Sequence, residues 1–227
     1  MDRPVQEKYD LCMADRLALK AGQKEELRRF LEQEPVSGLF LLGLLSSGLE
    51  NVPGQFFIAA GSRQGEVAGP EIGATAYLGD GGLFVPEGSD RAALEQLAAG
   101  LQRHWRRVRV LVGPRQPTDL LWQGWFEPAS EPPPRLWRDH QLYCLEPIDL
   151  GPGEEERVLY RAVPPDLDEL AVASAAMRLE ELGDDVLRTN PVGFRQRVME
   201  RIRSGSSWIV RDEQGIAFKA DVGTICR

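Results

Sequence analysis

Residues 72–105 read IGATAYLGDGGLFVPEGSDRAALEQLAAGLQRHW, and several elements follow from that stretch alone. Ile72–Leu78 is rich in β-branched and aromatic residues and predicts a strand. Gly79-Asp80-Gly81-Gly82 is a turn signal, and Leu83–Val85 predicts a short strand after it. Asp90–Trp105 then predicts the best-patterned helix in the chain. Leu94, Leu97, Ala98, Leu101 and Trp105 recur on one of its faces. Asp90 is placed to cap its start, while Arg103, Arg106 and Arg107 suit its negative end. Strand, turn, strand and long helix together predict a mixed α/β fold.

Upstream, Leu27, Phe30 and Leu31 give Ala21–Glu34 a helical stripe. Pro35 stands where a second helix is expected to start. That helix carries Leu39, Phe40, Leu42, Leu44 and Leu45, is apolar on most sides, and is expected to be buried. Arg16–Leu19 is a candidate strand, and Phe56–Ala60 predicts another. Downstream, Val108–Val112 predicts a buried strand and Thr118–Gln123 a short helix stopped by Gly124. Pro128 to Pro134 predicts a stiff extended loop, and Leu136–Leu145 a strand.

Residues 147–156 are rich in Pro, Gly and Glu and predict a linker, which divides the chain into domains at 1–146 and 157–227. Beyond it, Arg157–Ala162 predicts a strand. Pro164–Leu182 predicts a helix with Leu167, Leu170, Ser174 and Met177 on one face. Pro191–Arg203 predicts a second helix, with Phe194, Val198 and Ile202 spaced four apart. Trp208–Val210 predicts a strand and Asp212–Gly215 a tight turn. Ile216, Phe218, Ala220, Val222 and Thr224 alternate along a return strand.

The chain has 227 residues and a formal net charge of −8. Residues 1–150 carry 16 Lys+Arg against 21 Asp+Glu, and the remainder 11 against 14, so neither half is basic. That balance argues against an extended nucleic-acid footprint or a polybasic membrane patch. Cys12, Cys144 and Cys226 are odd in number and widely spaced, which indicates neither a disulfide scaffold nor a zinc site. The polar start, Met1 to Asp10, has no apolar run of a secretory signal. The longest apolar stretch, Leu39 to Leu45, falls far short of the roughly 20 residues of a membrane span. A cytoplasmic protein is the expectation.

Set side by side, the halves repeat one order of elements: strand, two helices, two strands. The first half continues with a short strand, a long helix, a strand, a helix and a strand. The second stops at Arg227 in mid-pattern. This order resembles the GNAT superfamily of acyl-CoA-dependent N-acyltransferases. More narrowly, it is similar to bacterial proteins that place a degenerate GNAT-like domain before a catalytic one. The closest local likeness is Met177-Arg178-Leu179-Glu180-Glu181-Leu182-Gly183, followed by Ile216–Ile225, which looks like the third strand of that fold.

The resemblance implies two GNAT-like units, each with helices on a mixed, mainly antiparallel sheet, the second incomplete. It implies acetyl transfer from acetyl-CoA to a primary amine, on a small molecule or a peptide. It also implies a loop patterned Arg/Gln-x-x-Gly-x-Gly/Ala, whose amides meet the cofactor pyrophosphate at a helix start. In the first half that place is Val85 through Ala92, with Val85, Gly88 and Ser89 as the candidate cofactor contacts. Only Ala92 keeps the pattern. Glu87 stands at the Arg/Gln position and Asp90 at the first Gly position, and both would repel a pyrophosphate. In the second half the motif is expected after Arg227, so the second unit is expected to be truncated and the chain inactive.

By the same resemblance, Glu180, Glu181 and Asp184, with Asp185 beside them, are candidates for binding a cationic amine. The plain alternative is a solvated helix end. His104 and His140 have no ligand-like neighbours, so no metal is expected, and His104 reads as a surface residue near a helix end. Arg103, Arg106, Arg107 and Arg109 flank Trp105 and read as helix-end charges, as a nucleic-acid contact, or as a grip for the CoA 3′-phosphate. Tyr143 and Tyr160 fall on strands. The tyrosine that serves as general acid in this family usually follows the pyrophosphate loop. A non-catalytic binding or dimerisation module is the rival reading, with the edge of Ile216–Ile225 open to pairing with another copy.

Overall fold

The computed structural model describes residues 15–48, 53–62, 71–126, 137–140 and 158–223. The fold is mixed α/β with two sheets. The chain divides into two compact units, Met1–Pro133 with Cys226–Arg227, and Pro134–Ile225. The linker expected at 147–156, the loop at Pro128 to Pro134 and most of the strand expected at Leu136–Leu145 lie outside the described residues.

In the first unit, helices α1 (Lys24–Leu31) and α2 (Leu39–Ser46) precede strands β1 (Gly54–Ala60), β2 (Ile72–Gly79) and β3 (Leu83–Gly88). Helix α3 (Arg91–Leu101), strand β4 (Val110–Leu111) and helix α4 (Arg115–Phe126) follow. The sheet runs β1-β2-β3-β4, antiparallel until β4 joins β3 in parallel. Its two faces carry separate cores. Leu27, Leu31, Leu41 and Leu45 of α1 and α2 pack on Phe56, Ile58, Ile72, Tyr77 and Val85. Leu94, Leu97, Ala98 and Leu101 of α3, with Leu121 and Trp125 of α4, pack on Phe57, Ala59, Ala74, Ala76, Leu78 and Phe84. Strand alternation places consecutive residues such as Phe56 and Phe57 in different cores.

Several expectations are corrected. α2 is not buried all round, since Leu39 and Phe40 are exposed. Arg16–Leu19 contributes only a single bridge, Ala18 to Phe57. Val108–Val112 is not a buried strand: two residues pair, and Val110 and Val112 are 52% and 54% exposed at the sheet edge. Helix α3 ends at Leu101, and Trp105 lies in a following 3-10 turn. Gly124 does not stop α4 but sits inside it. A Cβ there would lie 3.0 Å from the Ala98 Cβ, so the bare glycine lets α4 approach α3 closely.

In the second unit, strand β5 (Tyr160–Arg161) leads into helices α5 (Leu167–Leu182), α6 (Val186–Thr189) and α7 (Pro191–Arg203). The hairpin β6 (Ser207–Asp212) and β7 (Gly215–Asp221) completes an antiparallel sheet ordered β5-β6-β7. Phe194, Val198 and Ile202 of α7 are buried with Leu170, Ala171 and Ala175 of α5 against Ile209 and Ala162. Met177 is exposed, because the buried face of α5 runs through Leu170, Ala171, Ser174 and Ala175. α6 was not expected from periodicity. It is one short turn, capped by Asp185, whose carboxylate accepts from the Arg188 amide at 3.1 Å. The two units share an opening: a strand-like segment paired antiparallel to the first hairpin strand, then helices, then the hairpin.

Among the described residues β7 lies at the edge of its sheet, and that edge is guarded. Val210 pairs with Phe218 and Arg211 with Ile216, which leaves Ala217 as the extra residue of a bulge. The Ile216 amide donates to Glu169 Oε1 at 2.5 Å, so that backbone group is already used. Bulges and occupied amides both disfavour pairing of this edge with a second copy.

Candidate functional site

The junction of β3 and α3 is where the sequence places a phosphate-binding loop, and its geometry follows from four residues. Pro86 lies within β3, opposite Ala76, and supplies no backbone N–H. Gly88 closes the strand with φ +129°, a conformation that L side chains rarely adopt. Ser89 then leads to Asp90, whose extended backbone makes it the N-cap of α3. Beside the junction lies an open cavity of about 570 Å³ bordered by Ser62, Ser89, Asp90, Arg91, Ala92 and Glu95.

Asp90 decides what this helix start can do. Its carboxylate accepts from the Ala93 amide at 3.0 Å. It also accepts from the Ser62 amide at 2.6 Å and the Ser62 hydroxyl at 2.5 Å. The Ser62 hydroxyl and then the Ala93 amide hold its pKa down, from 3.8 to about 2. At neutral pH an anion therefore sits on the α3 amides, and it is a side chain of the protein. These residues do not fit a pyrophosphate. A phosphate brought here would meet a fixed carboxylate where it needs free donors.

Glu87 is the second departure. It is only 6% exposed, on the face of β3 that carries Val85 and packs under α1 and α2. Oε1 accepts from the Gly88 amide at 3.1 Å, while Oε2 has no hydrogen-bond partner among the described residues. Burial pushes its pKa up. The Gly88 amide and the Ser37 hydroxyl pull it down, and nearby Glu34 raises it again. Val85 is a core residue. Ser89 is exposed, and its carbonyl accepts a long bond from Gln116 Nε2 at 3.5 Å.

The candidates of the second unit gather at the end of α5. Glu180 and Glu181 are exposed in the last turn. Gly183 ends the helix with φ +65°. Asp184 pairs with Arg178 at 2.9 Å, and Asp185 caps α6, so both carboxylates are engaged locally. The Glu180 carbonyl accepts from Arg138 Nη2 at 3.3 Å. Glu180 and Glu181 thus remain as carboxylates facing solvent.

His104 is not a surface residue: it is half-buried, with its ring 5.8 Å from that of Phe57. Arg106, Arg107 and Arg109 are exposed, and Arg106 lies over the Trp105 ring at 5.8 Å. Tyr160 is exposed, and Cys12, Tyr143, Cys144 and Cys226 lie outside the described residues. Among the described residues no cluster of three or more His, Cys, Asp or Glu is arranged to hold a metal, and no helix is long and apolar enough to cross a membrane.

Sequence reasoning missed Ser62, Ser37 and Glu34. Each meets its partner through the fold, and Ser62 stands 28 residues from Asp90. No local pattern announces such a contact. Comparison of the chain with protein-family models, with curated proteins and with solved structures found no match in any of the three.

Proposed function

We propose that this chain is a two-unit, GNAT-like protein whose first unit is a non-catalytic module. Its second unit is then related to an acyl-CoA-dependent N-acetyltransferase acting on a primary amine. One observation carries the reading of the first unit: the Asp90 carboxylate occupies the helix start that a pyrophosphate would need. The surrounding topology supports the kinship. Two helices lie on one face of an antiparallel sheet, a capped helix follows β3, and a parallel strand comes next. In the second unit, Glu180 and Glu181 offer exposed negative charge to a cationic acceptor.

The test is a titration of acetyl-CoA into the purified chain, followed by thermal unfolding. A ligand at about 100 times its dissociation constant stabilises a native state by roughly 2.7 kcal/mol, a rise of several degrees. The proposed reading expects no saturable rise. A saturable rise would show a working cofactor grip and refute the assignment of the first unit as its loss.

A further inference from the structure

Among the described residues β4 is the outermost strand of the first sheet. The Val110 amide donates to the Gly82 carbonyl at 3.2 Å, and the Val112 amide to the Phe84 carbonyl at 3.0 Å. In a parallel ladder alternate residues turn their N–H and C=O to opposite sides, so Leu111 presents both to the open side. Val110 pairs with Leu83 on the face that carries α1 and α2, and strand alternation puts Val112 on that face too. The cover given by those helices does not reach β4, since both valines are more than half exposed. Residues 108–113 contain no proline and no acidic residue to block a further strand.

The approach to this edge is basic. Arg107 and Arg109 are exposed, and no carboxylate among the described residues pairs with either. Arg106 beside them lies over the Trp105 ring at 5.8 Å.

We propose that the β4 edge is a docking site for an extended acidic peptide of a partner protein, which adds to the four-stranded sheet as a further strand. The peptide backbone pairs with the N–H and C=O of Leu111. Its alternate apolar side chains cover Val110 and Val112, and its acidic residues lie against Arg107 and Arg109. Antiparallel addition is the more stable pairing, and it puts those acidic residues toward the C-terminal end of the peptide.

Charge selects this occupant. A second copy pairing through its own β4 would bring more arginines and, from residues 105–113, no carboxylate. An acidic strand supplies Arg107 and Arg109 with the partners they lack among the described residues. A nucleic acid would meet the arginines but has no backbone amide for the Leu111 carbonyl. The site uses neither the α3 amides nor Glu180 and Glu181, so it does not rest on the proposed kinship.

The experiment follows the anisotropy of a labelled synthetic peptide, alternating Val and Thr before a run of C-terminal glutamates, as the full chain is added. Saturable binding that weakens with salt is expected. Two versions of the peptide, methylated at alternate backbone amides, should differ by at least about tenfold, because only one set of amides faces Leu111. Reversing the exposed charges, with Arg107→Glu and Arg109→Glu together, should weaken the glutamate peptide and favour one ending in lysines, with the Tm of the chain unchanged. Absence of saturable binding overturns the proposal. So does equal affinity of the two methylated peptides, or indifference to charge reversal. A dimer in sedimentation that dissociates on Val110→Lys with Val112→Lys assigns the edge to a second copy. Displacement of the peptide by an equal concentration of a single-stranded oligonucleotide assigns the arginines to nucleic acid. Either result also overturns the proposal.

Discussion

Replacing Asp90 by Ala removes a cap, an inter-segment tie and a resident negative charge in one step. The structure gives the sizes. Loss of an N-cap side chain costs about 1 kcal/mol, and up to about 2. The two bonds from Ser62 contribute about 1 kcal/mol more, discounted because the junction is partly open to solvent. The expected loss at pH 7 is therefore about 2–3 kcal/mol, a fall of several degrees in Tm. Urea unfolding followed by tryptophan fluorescence measures it as a lower midpoint at unchanged slope.

The pH dependence adds a second constraint. Hydrogen bonds from Ser62 and Ala93 lower the Asp90 pKa from 3.8 to about 2 in the folded state. A depressed carboxyl stabilises above its unfolded pKa, and that stabilisation fades as pH falls through the folded one. The gap between wild type and Asp90→Ala should thus narrow between about pH 4 and pH 2. Asp90→Asn has one acceptor oxygen, so it can keep the cap but not the Ser62 bonds as well, and its loss at pH 7 should fall between those of wild type and Asp90→Ala. The Ala variant also exposes the α3 amides, so inorganic pyrophosphate should raise its Tm and leave wild type unmoved. A loss below about 0.3 kcal/mol at pH 7, or a gap independent of pH, would refute the role given to this carboxylate.

Two further changes test the frame around the junction. Gly88→Ala places a Cβ 2.7 Å from the Gly73 carbonyl at φ +129°, and should cost about 1–3 kcal/mol in the same urea assay. Trp125→Phe removes the buried bond from Nε1 to the Ala98 carbonyl at 3.0 Å, which leaves that carbonyl short of a partner. It should cost about 1–3 kcal/mol, seen as a lower urea midpoint, while Trp122→Phe on the half-buried face of α4 should cost less.

What was legible in the sequence is what depends on neighbours in sequence. The spacing of Phe194, Val198 and Ile202 located α7 to the residue, and Leu94, Leu97 and Leu101 located the buried face of α3. Asp90 was readable as a cap because capping is a contact three residues long. Contacts made by the fold were not readable. The tie from Ser62 to Asp90 depends on where the end of β1 meets the end of β3. Gly124 looked like a helix stop because glycine often is one. Its tertiary use, the close approach of α4 to Ala98, overrides that propensity. The Val108–Val112 run has strand composition, yet only two of its residues find a partner, so composition alone overstated both its length and its burial.

The helix starts of this chain also bear on where anion recognition is to be sought. α3, α6 and α7 each begin with an Asp or Asn whose side chain accepts from its own third amide: Asp90 from Ala93, Asp185 from Arg188, and Asn190 from Gly193. α5 begins with Asp168 and Glu169 in its first turn, and Glu169 is tied to Arg211 and to the Ile216 amide. An amide that already holds a carboxylate oxygen cannot also hold a phosphate oxygen without displacing it. Displacing Asp90 means breaking its bonds to Ser62 as well as its cap. A helix start capped from within favours stability, and one left open favours ligand binding. The starts of α3, α6 and α7 are of the first kind, while α5 has no side-chain cap. If the second unit belongs to an acyl-CoA-dependent enzyme, its grip on the cofactor phosphates is to be sought away from the capped starts of α6 and α7.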